Sequence, residues 1–169
     1  MEETMDIRQV YDRHSHRLYN MSLRIVGDPS DAEEVMHDTL LKYHDFARKK
    51  ELRELSGWLS SVCIRKSIDK LRERHRYRNF LERCAREEPP ETICDSAEEA
   101  EYDIGRIKKA MASLPDHYRL VLILHLFEGY DYEEIAQITS AKESTIRTLY
   151  MRGRQKLAAM LKKQHNGQS

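Results

Sequence analysis

An all-α fold is predicted, with two small helical domains joined by an acidic linker and a helix-turn-helix in the second. Three features of the 169-residue chain predict it. Apolar residues recur at helical three-and-four spacing along most of its length, only six Gly and four Pro interrupt it, and charge segregates sharply along the sequence. No long alternating, β-branched run competes with this reading.

The first helix starts near Ile7, because Ile7, Val10, Tyr11, Leu18, Met21 and Ile25 fall on one helical face, and Gly27 ends it. Asp28-Pro29 then supplies a capping residue with proline in the first turn, and Asp31, Glu33 and Glu34 sit where the helix dipole favours negative charge. This second helix runs to about Arg48, with Val35, Met36, Leu40, Tyr43 and Phe46 on its apolar side. After a charged loop over Lys49–Leu55, Ser56 is the expected cap of a third helix. Its core positions are Trp58, Leu59, Val62, Ile64, Ile68 and Leu71.

Composition then changes. Val62–Arg86 holds nine Lys or Arg against three acids, whereas Glu87–Asp103 holds eight acids, no Lys or Arg, and Pro89-Pro90. Such a segment cannot bury enough apolar surface to order itself, so it reads as a solvated linker. The expected organisation is a first domain over 1–86, a linker over 87–103 and a second domain over 104–169.

In the second domain Ile104, Ile107, Met111 and Leu114 predict a helix ending before Pro115, and Tyr118, Val121, Leu122, Leu124 and Phe127 a strongly apolar one stopped at Gly129. Tyr132–Ile138 is a short third helix, Thr139–Lys142 a tight turn, and Glu143–Leu161 a longer basic helix. A short helix, a tight turn and a longer helix rich in Ser, Thr and Arg is the pattern of a helix-turn-helix.

Lys plus Arg and Asp plus Glu both total 29, so attraction to an anionic polymer must be local rather than global. The opening Met1–Asp6 has no basic region followed by an apolar stretch, and no run of about 18 apolar residues occurs. A cytoplasmic protein without stable membrane insertion is expected. Cys63, Cys84 and Cys94 are odd in number and not closely paired, which indicates neither a disulfide framework nor a zinc site. Glu34-Val35-Met36-His37 has the Glu-x-x-His spacing of bundle di-iron sites, but such sites need a second copy and further glutamates. No metal, no other cofactor and no catalytic residue is therefore expected.

The helix-turn-helix is the most specific signal. Its second helix would present Ser144, Thr145, Arg147 and Thr148 to base edges, with Arg152 and Arg154 holding backbone phosphates. The basic run Arg65, Lys66, Lys70, Arg72, Arg74, Arg76 and Arg78, with Trp58, His75 and Tyr77 among it, suits strand-separated DNA whose bases can stack. Read without context, that run is equally a nonspecific phosphate grip or a solvated face, and Trp58 fits a core position. Glu33, Glu34, His37 and Asp38 beside apolar atoms suit a protein-docking surface or, on the same physics, a solvated helix face. Two functions are consistent with these residues: a subunit that carries an enzyme to DNA, or a stand-alone helix-turn-helix regulator that binds duplex DNA by itself.

Taken together the segments resemble the extracytoplasmic-function (ECF) RNA polymerase sigma factors. Leu18-Tyr19, Ile25-Val26-Gly27-Asp28, Asp31–Val35, Asp38–Lys42, Trp58-Leu59 and Ile68–Arg72 follow that family's region two. Leu114-Pro115, Arg119, Val121-Leu122, Glu128-Gly129, Tyr132-x-Glu134-Ile135-Ala136 and Ser144–Arg147 stand in the order of its region four. The resemblance implies promoter recognition and DNA opening for RNA polymerase, without catalysis. It assigns Glu33, Glu34, His37, Asp38 and Leu41 to the clamp of the largest core subunit, and implies contact with the flap of the second-largest. It places Arg65, Lys66, Asp69, Lys70, Arg72, Arg74 and Arg76 on the minus-ten element, and Ser144, Thr145, Arg147, Thr148, Arg152 and Arg154 on the minus-thirty-five element. It also admits an anti-sigma factor as a partner. His37, Arg65, Ser140 and Leu149 depart from the residues common there: glutamine, asparagine, a turn glycine and arginine.

Overall fold

A computed structural model of the chain describes residues 6–47, 54–76, 79–87 and 104–166, with side chains of the final helix described as far as Lys163. The expected linker beyond Glu87 and the residues Tyr77, Arg78 and Cys94 lie outside the described set. All secondary structure among the described residues is helical. The chain divides into two compact units, Met1–Arg76 and Tyr77–Ser169.

The first unit is a three-helix bundle of α1 (Ile7–Val26), α2 (Pro29–Ala47) and α3 (Leu55–His75), each packing on the other two. The turn between α1 and α2 follows local chemistry. Gly27 adopts a left-handed φ of 73° and returns its N–H to the Leu23 carbonyl, while the Asp28 carboxylate accepts the Asp31 N–H at 2.9 Å. Val10, Leu18, Ile25, Val35, Leu59, Ile64, Ile68 and Leu71 fill the interior. Two of its buried hydroxyls are satisfied within their own helices, Thr39 on the Val35 carbonyl and Ser67 on the Cys63 carbonyl. Tyr43 and Phe46 pack their rings on Trp58, which is half-buried.

Two expectations are corrected here. Ser56 does not cap α3: Glu54 holds the cap position, two residues earlier, and the Ser56 carbonyl instead accepts from the Arg17 guanidinium at 3.2 Å. Arg17 also donates to Ser60 Oγ at 2.7 Å, so a tertiary anchor from α1 sets the entry of α3. Tyr11 is not a core residue; its ring is exposed beside α2.

The second unit contains α4 (Phe80–Glu87), α5 (Ile104–Ala112), α6 (Asp116–Leu122), α7 (Tyr132–Thr139) and α8 (Glu143–Asn166). Sequence periodicity did not show α4. Phe80 and Leu81 are buried and the helix packs on α8 and α6, so α4, assigned from sequence mostly to the first domain, belongs by its contacts to the second unit. Ile104, the first of the apolar residues whose spacing predicts α5, is exposed at its start.

α6 is the centre of this unit, with every residue from His117 to Leu122 buried. Its continuation, Ile123–Phe127, widens into a π-helical turn closed by Glu128 N–H on the Ile123 carbonyl at 3.1 Å. Gly129, at φ 76°, ends it. α8 crosses α6 closely at Gly153, where a Cβ would lie 3.1 Å from the Tyr118 Cβ. No helix among the described residues is long and apolar enough to cross a membrane.

Candidate nucleic-acid and polymerase interfaces

α7 and α8 form the helix-turn-helix. The Asp131 carboxylate accepts the Glu134 N–H and the Glu134 carboxylate accepts the Asp131 N–H, both at 2.8 Å, which closes a capping box at the start of α7. Ser140 ends α7 with a left-handed φ of 57°, and the Ala141 N–H reaches back to the Ala136 carbonyl. These constraints fix where α8 leaves the turn.

The six residues expected to read DNA divide between two stripes of α8. Ser144, Arg147 and Arg154 are exposed and Thr148 is half-buried; with the exposed Met151 they follow helical spacing along one outward stripe. The Arg147 guanidinium lies 2.7 Å from Glu143 Oε1 and 5.4 Å from the centre of the Tyr132 ring, so it is tied to the surface of its own unit. Tyr132 itself packs with His125 and Tyr150, and the Tyr130 carbonyl accepts from His125 Nδ1 at 2.8 Å. Burial, with Tyr132 nearby, raises the Tyr150 phenol above its usual range.

The second stripe is covered. Thr145 is only 7% exposed and donates its hydroxyl to Glu82 Oε2 at 2.7 Å. The Lys142 N–H donates to Glu82 Oε1 at 2.9 Å, and the Arg152 guanidinium to the Ala85 carbonyl at 2.9 Å. Leu149 between them is fully buried, which accounts physically for an apolar residue at that position. Burial alone would raise the Glu82 carboxyl, but its bonds from Lys142 and Thr145, with the charges of Lys142 and Arg86, outweigh burial and hold it below the ordinary carboxylate range.

In the first unit the basic residues of α3 also separate. Arg65, Asp69, Arg72 and Arg76 share one face at helical spacing, with Arg72 Nη1 3.3 Å from Asp69 Oδ1. Lys66 is half-buried beside them, and Arg76 sits at the left-handed C-terminus of the helix with φ 56°. Lys70 and Arg74 turn towards α2 instead. Lys70 Nζ is 2.8 Å from Glu34 Oε2, while Arg74 donates to Asp31 Oδ2 and to the Val26 carbonyl, each at 2.9 Å. The Glu34 hydrogen bond raises the Lys70 ammonium above its ordinary value against the lowering effect of burial.

On α2, Glu33, His37 and the 61%-exposed Leu41 face solvent, with Asp38 half-buried. His37 Nε2 lies 3.6 Å from Glu33 Oε1, and the Tyr11 ring stacks on the His37 ring at 6.2 Å between centroids. Tyr11 was missed because the spacing that placed it on the core face does not separate the centre of an apolar stripe from its edge. The patch is an apolar centre with an acidic border, the composition of a protein-docking surface. Glu34 contributes less to it than expected, since its carboxylate is engaged by Lys70.

The comparisons with known proteins agree with this division. The family pattern described as Sigma-70 region 2 matches residues 10–77, and that described as Sigma-70, region 4 matches residues 104–157. The ECF RNA polymerase sigma factor SigE of Mycolicibacterium smegmatis is 30% identical over 158 residues, spanning 89% of this chain and 60% of that longer protein. SigK of a Mycobacterium species, also described as an ECF RNA polymerase sigma factor, is 30% identical over 149 residues, spanning 85% of this chain and 76% of its own length. Among solved structures, the sigma factor RpoE in complex with the anti-sigma factor NepR from Bartonella quintana shares the fold with a TM-score of 0.57. It is 23% identical, with 93% of this chain and 97% of that one covered.

Proposed function

The chain belongs to the ECF RNA polymerase sigma factors, and from that premise we propose how its two units divide the work of promoter selection. The second unit reads the minus-thirty-five element as duplex through the outward stripe of α8. Arg147 is the principal base-edge contact, Ser144 and Thr148 flank it, and Arg154 holds phosphate. The first unit engages the minus-ten element as its strands part. Arg65, Lys66, Arg72 and Arg76 grip the backbone, Asp69 orients Arg72, and Lys70 and Arg74 act indirectly by fixing α3 against α2.

The docking surface for the largest-subunit clamp is the patch of Glu33, His37, Asp38 and Leu41, extended by Tyr11, with Glu34 as its anchor to α3. The second unit meets the flap of the second-largest subunit. The protein works in the cytoplasm, adds no catalytic group of its own, and has an anti-sigma factor among its partners, a reading supported by the solved relative in complex with one. The acidic segment 87–103 joins α4 to α5, and the two units are tied through the short connection between α3 and α4.

One observation carries this reading: a rigidly capped helix-turn-helix presents Ser144, Arg147 and Thr148 outward in a chain that also matches region two. The rival is a self-sufficient regulator of duplex DNA. Reconstitution with core polymerase, followed by mapping of transcript starts, tests them against each other. Discrete starts that need both core enzyme and this chain support the sigma reading. Tight, sequence-selective duplex binding without core enzyme, and no starts with it, would support the rival.

A further inference from the structure

We propose that α4 is a removable cover over one DNA-facing stripe of α8, so that full promoter reading requires α4 to leave its seat. The proposal rests on α8 being the DNA-reading helix and adds a control on that same surface.

The cover is built from three kinds of contact. Glu82 takes two donors at the N-terminal end of α8, the Lys142 N–H and the Thr145 hydroxyl, at 2.9 and 2.7 Å. The Ala85 carbonyl takes a third donor, the Arg152 guanidinium, two turns farther along. Phe80 and Leu81 are 1% and 4% exposed and hold the helix down by apolar burial.

Backbone N–H groups at a helix start, a threonine hydroxyl and a guanidinium are the donors with which helix-turn-helix proteins grip DNA phosphates. The Glu82 carboxylate on the first two carries the same sign of charge as a phosphate and uses the same hydrogen bonds, and the Ala85 carbonyl occupies the third, so α4 and DNA cannot be accommodated together on this stripe. The Ser144, Arg147, Thr148 and Arg154 stripe stays open, which leaves room for a first encounter before α4 departs.

Length makes the device two-state. Isolated helices below about 12–15 residues are marginal in water, and α4 has eight. Away from α8 it loses both its Glu82 bonds and the burial of Phe80 and Leu81, so undocking and melting are one event. The donors of α8 are then either covered or fully available.

The test measures binding of the full chain to a short duplex of mixed sequence at low salt, with hydrogen exchange over 80–87 and 142–148 as a structural readout. Four variants are compared. Glu82→Ala removes the carboxylate, and Ala85→Pro breaks α4 without changing charge. Glu87→Ala removes one negative charge from the same helix but leaves the cover in place, and Arg147→Ala disables the open stripe. Glu82→Ala and Ala85→Pro are expected to bind the duplex about tenfold more tightly, with faster exchange in both segments, and Glu87→Ala to stay within about twofold of the parent.

Equal gains from Glu82→Ala and Glu87→Ala, with none from Ala85→Pro, would reduce the effect to net charge and overturn the cover. No gain from Glu82→Ala or Ala85→Pro while Arg147→Ala still weakens binding would overturn the cover and leave the DNA-reading assignment standing. If Arg147→Ala changed nothing in any background, that assignment would fail and the cover with it.

Discussion

Lys70 of α3 reaches across to Glu34 of α2, its Nζ 2.8 Å from Oε2, and four residues later Arg74 makes the parallel reach to Asp31 at 2.9 Å. Two cations in the stretch with the highest positive charge are thereby committed to holding the bundle together, and the remaining positive charge of α3 lies on the neighbouring stripe of Arg65, Arg72 and Arg76.

Stability and DNA opening should therefore separate by stripe. Arg74→Met loses an ion pair and a bond to the Val26 carbonyl, at a cost of about 1–2 kcal/mol in denaturant unfolding. Arg65→Ala should leave unfolding unchanged within about 0.5 kcal/mol yet impair promoter opening, read by permanganate reactivity of unpaired thymines with core polymerase.

Lys70 and Glu82 carry opposite pH signatures. Lys70 is raised in the folded state, so its contribution is complete below the ordinary lysine range and is lost as pH rises through the higher folded value. Glu82 is lowered, so its contribution is present above the ordinary carboxylate range and is lost as pH falls through the lower folded value. Acidification from neutral pH should loosen α4 in wild type but not in Glu82→Gln, as measured by the amide signal of Lys142.

Gly153 should resist enlargement. A Cβ there meets Tyr118 at 3.1 Å, and Tyr118 is fully buried and cannot retreat. Overpacking costs about 1–3 kcal/mol, and the gain in helix propensity returns at most about 1 kcal/mol. Gly153→Ala should lower the melting temperature of the second unit measurably, and Gly153→Leu should do so far more.

The α7 cap is open to a similar test. Asp131→Ala removes one half of the box, which costs about 1 kcal/mol, and should raise the exchange rate of the Glu134 amide.

Elements specified by adjacent residues were legible in the sequence. Gly27 with Asp28-Pro29 fixed the first turn, and from Tyr132 onward the short helix, the tight turn and the start of the long helix were read nearly to the residue, because caps and turns are local chemistry, while the long helix runs five residues past its expected end at Leu161. Contacts specified by distant residues were not legible. α4 hides at the edge of a charge boundary, and its reason to exist, Glu82 on Lys142 and Thr145, lies 60 residues away or more. For the same reason Thr145 and Arg152 read as free to meet DNA, and Lys70 and Arg74 as part of one undivided basic run. Helical spacing put Tyr11 in the core because it locates a face without showing where the partner helix ends.

The most direct measurement is transcription with core polymerase and this chain from a promoter found by start-site mapping, comparing wild type with Arg147→Ala. A base-edge contact is worth about 1–3 kcal/mol, so the variant should lose roughly tenfold or more of its initiation at that promoter and tolerate substitution at one upstream base pair that wild type rejects. Undiminished initiation by Arg147→Ala, with the upstream base preferences of wild type intact, would contradict α8 as the reader of the promoter.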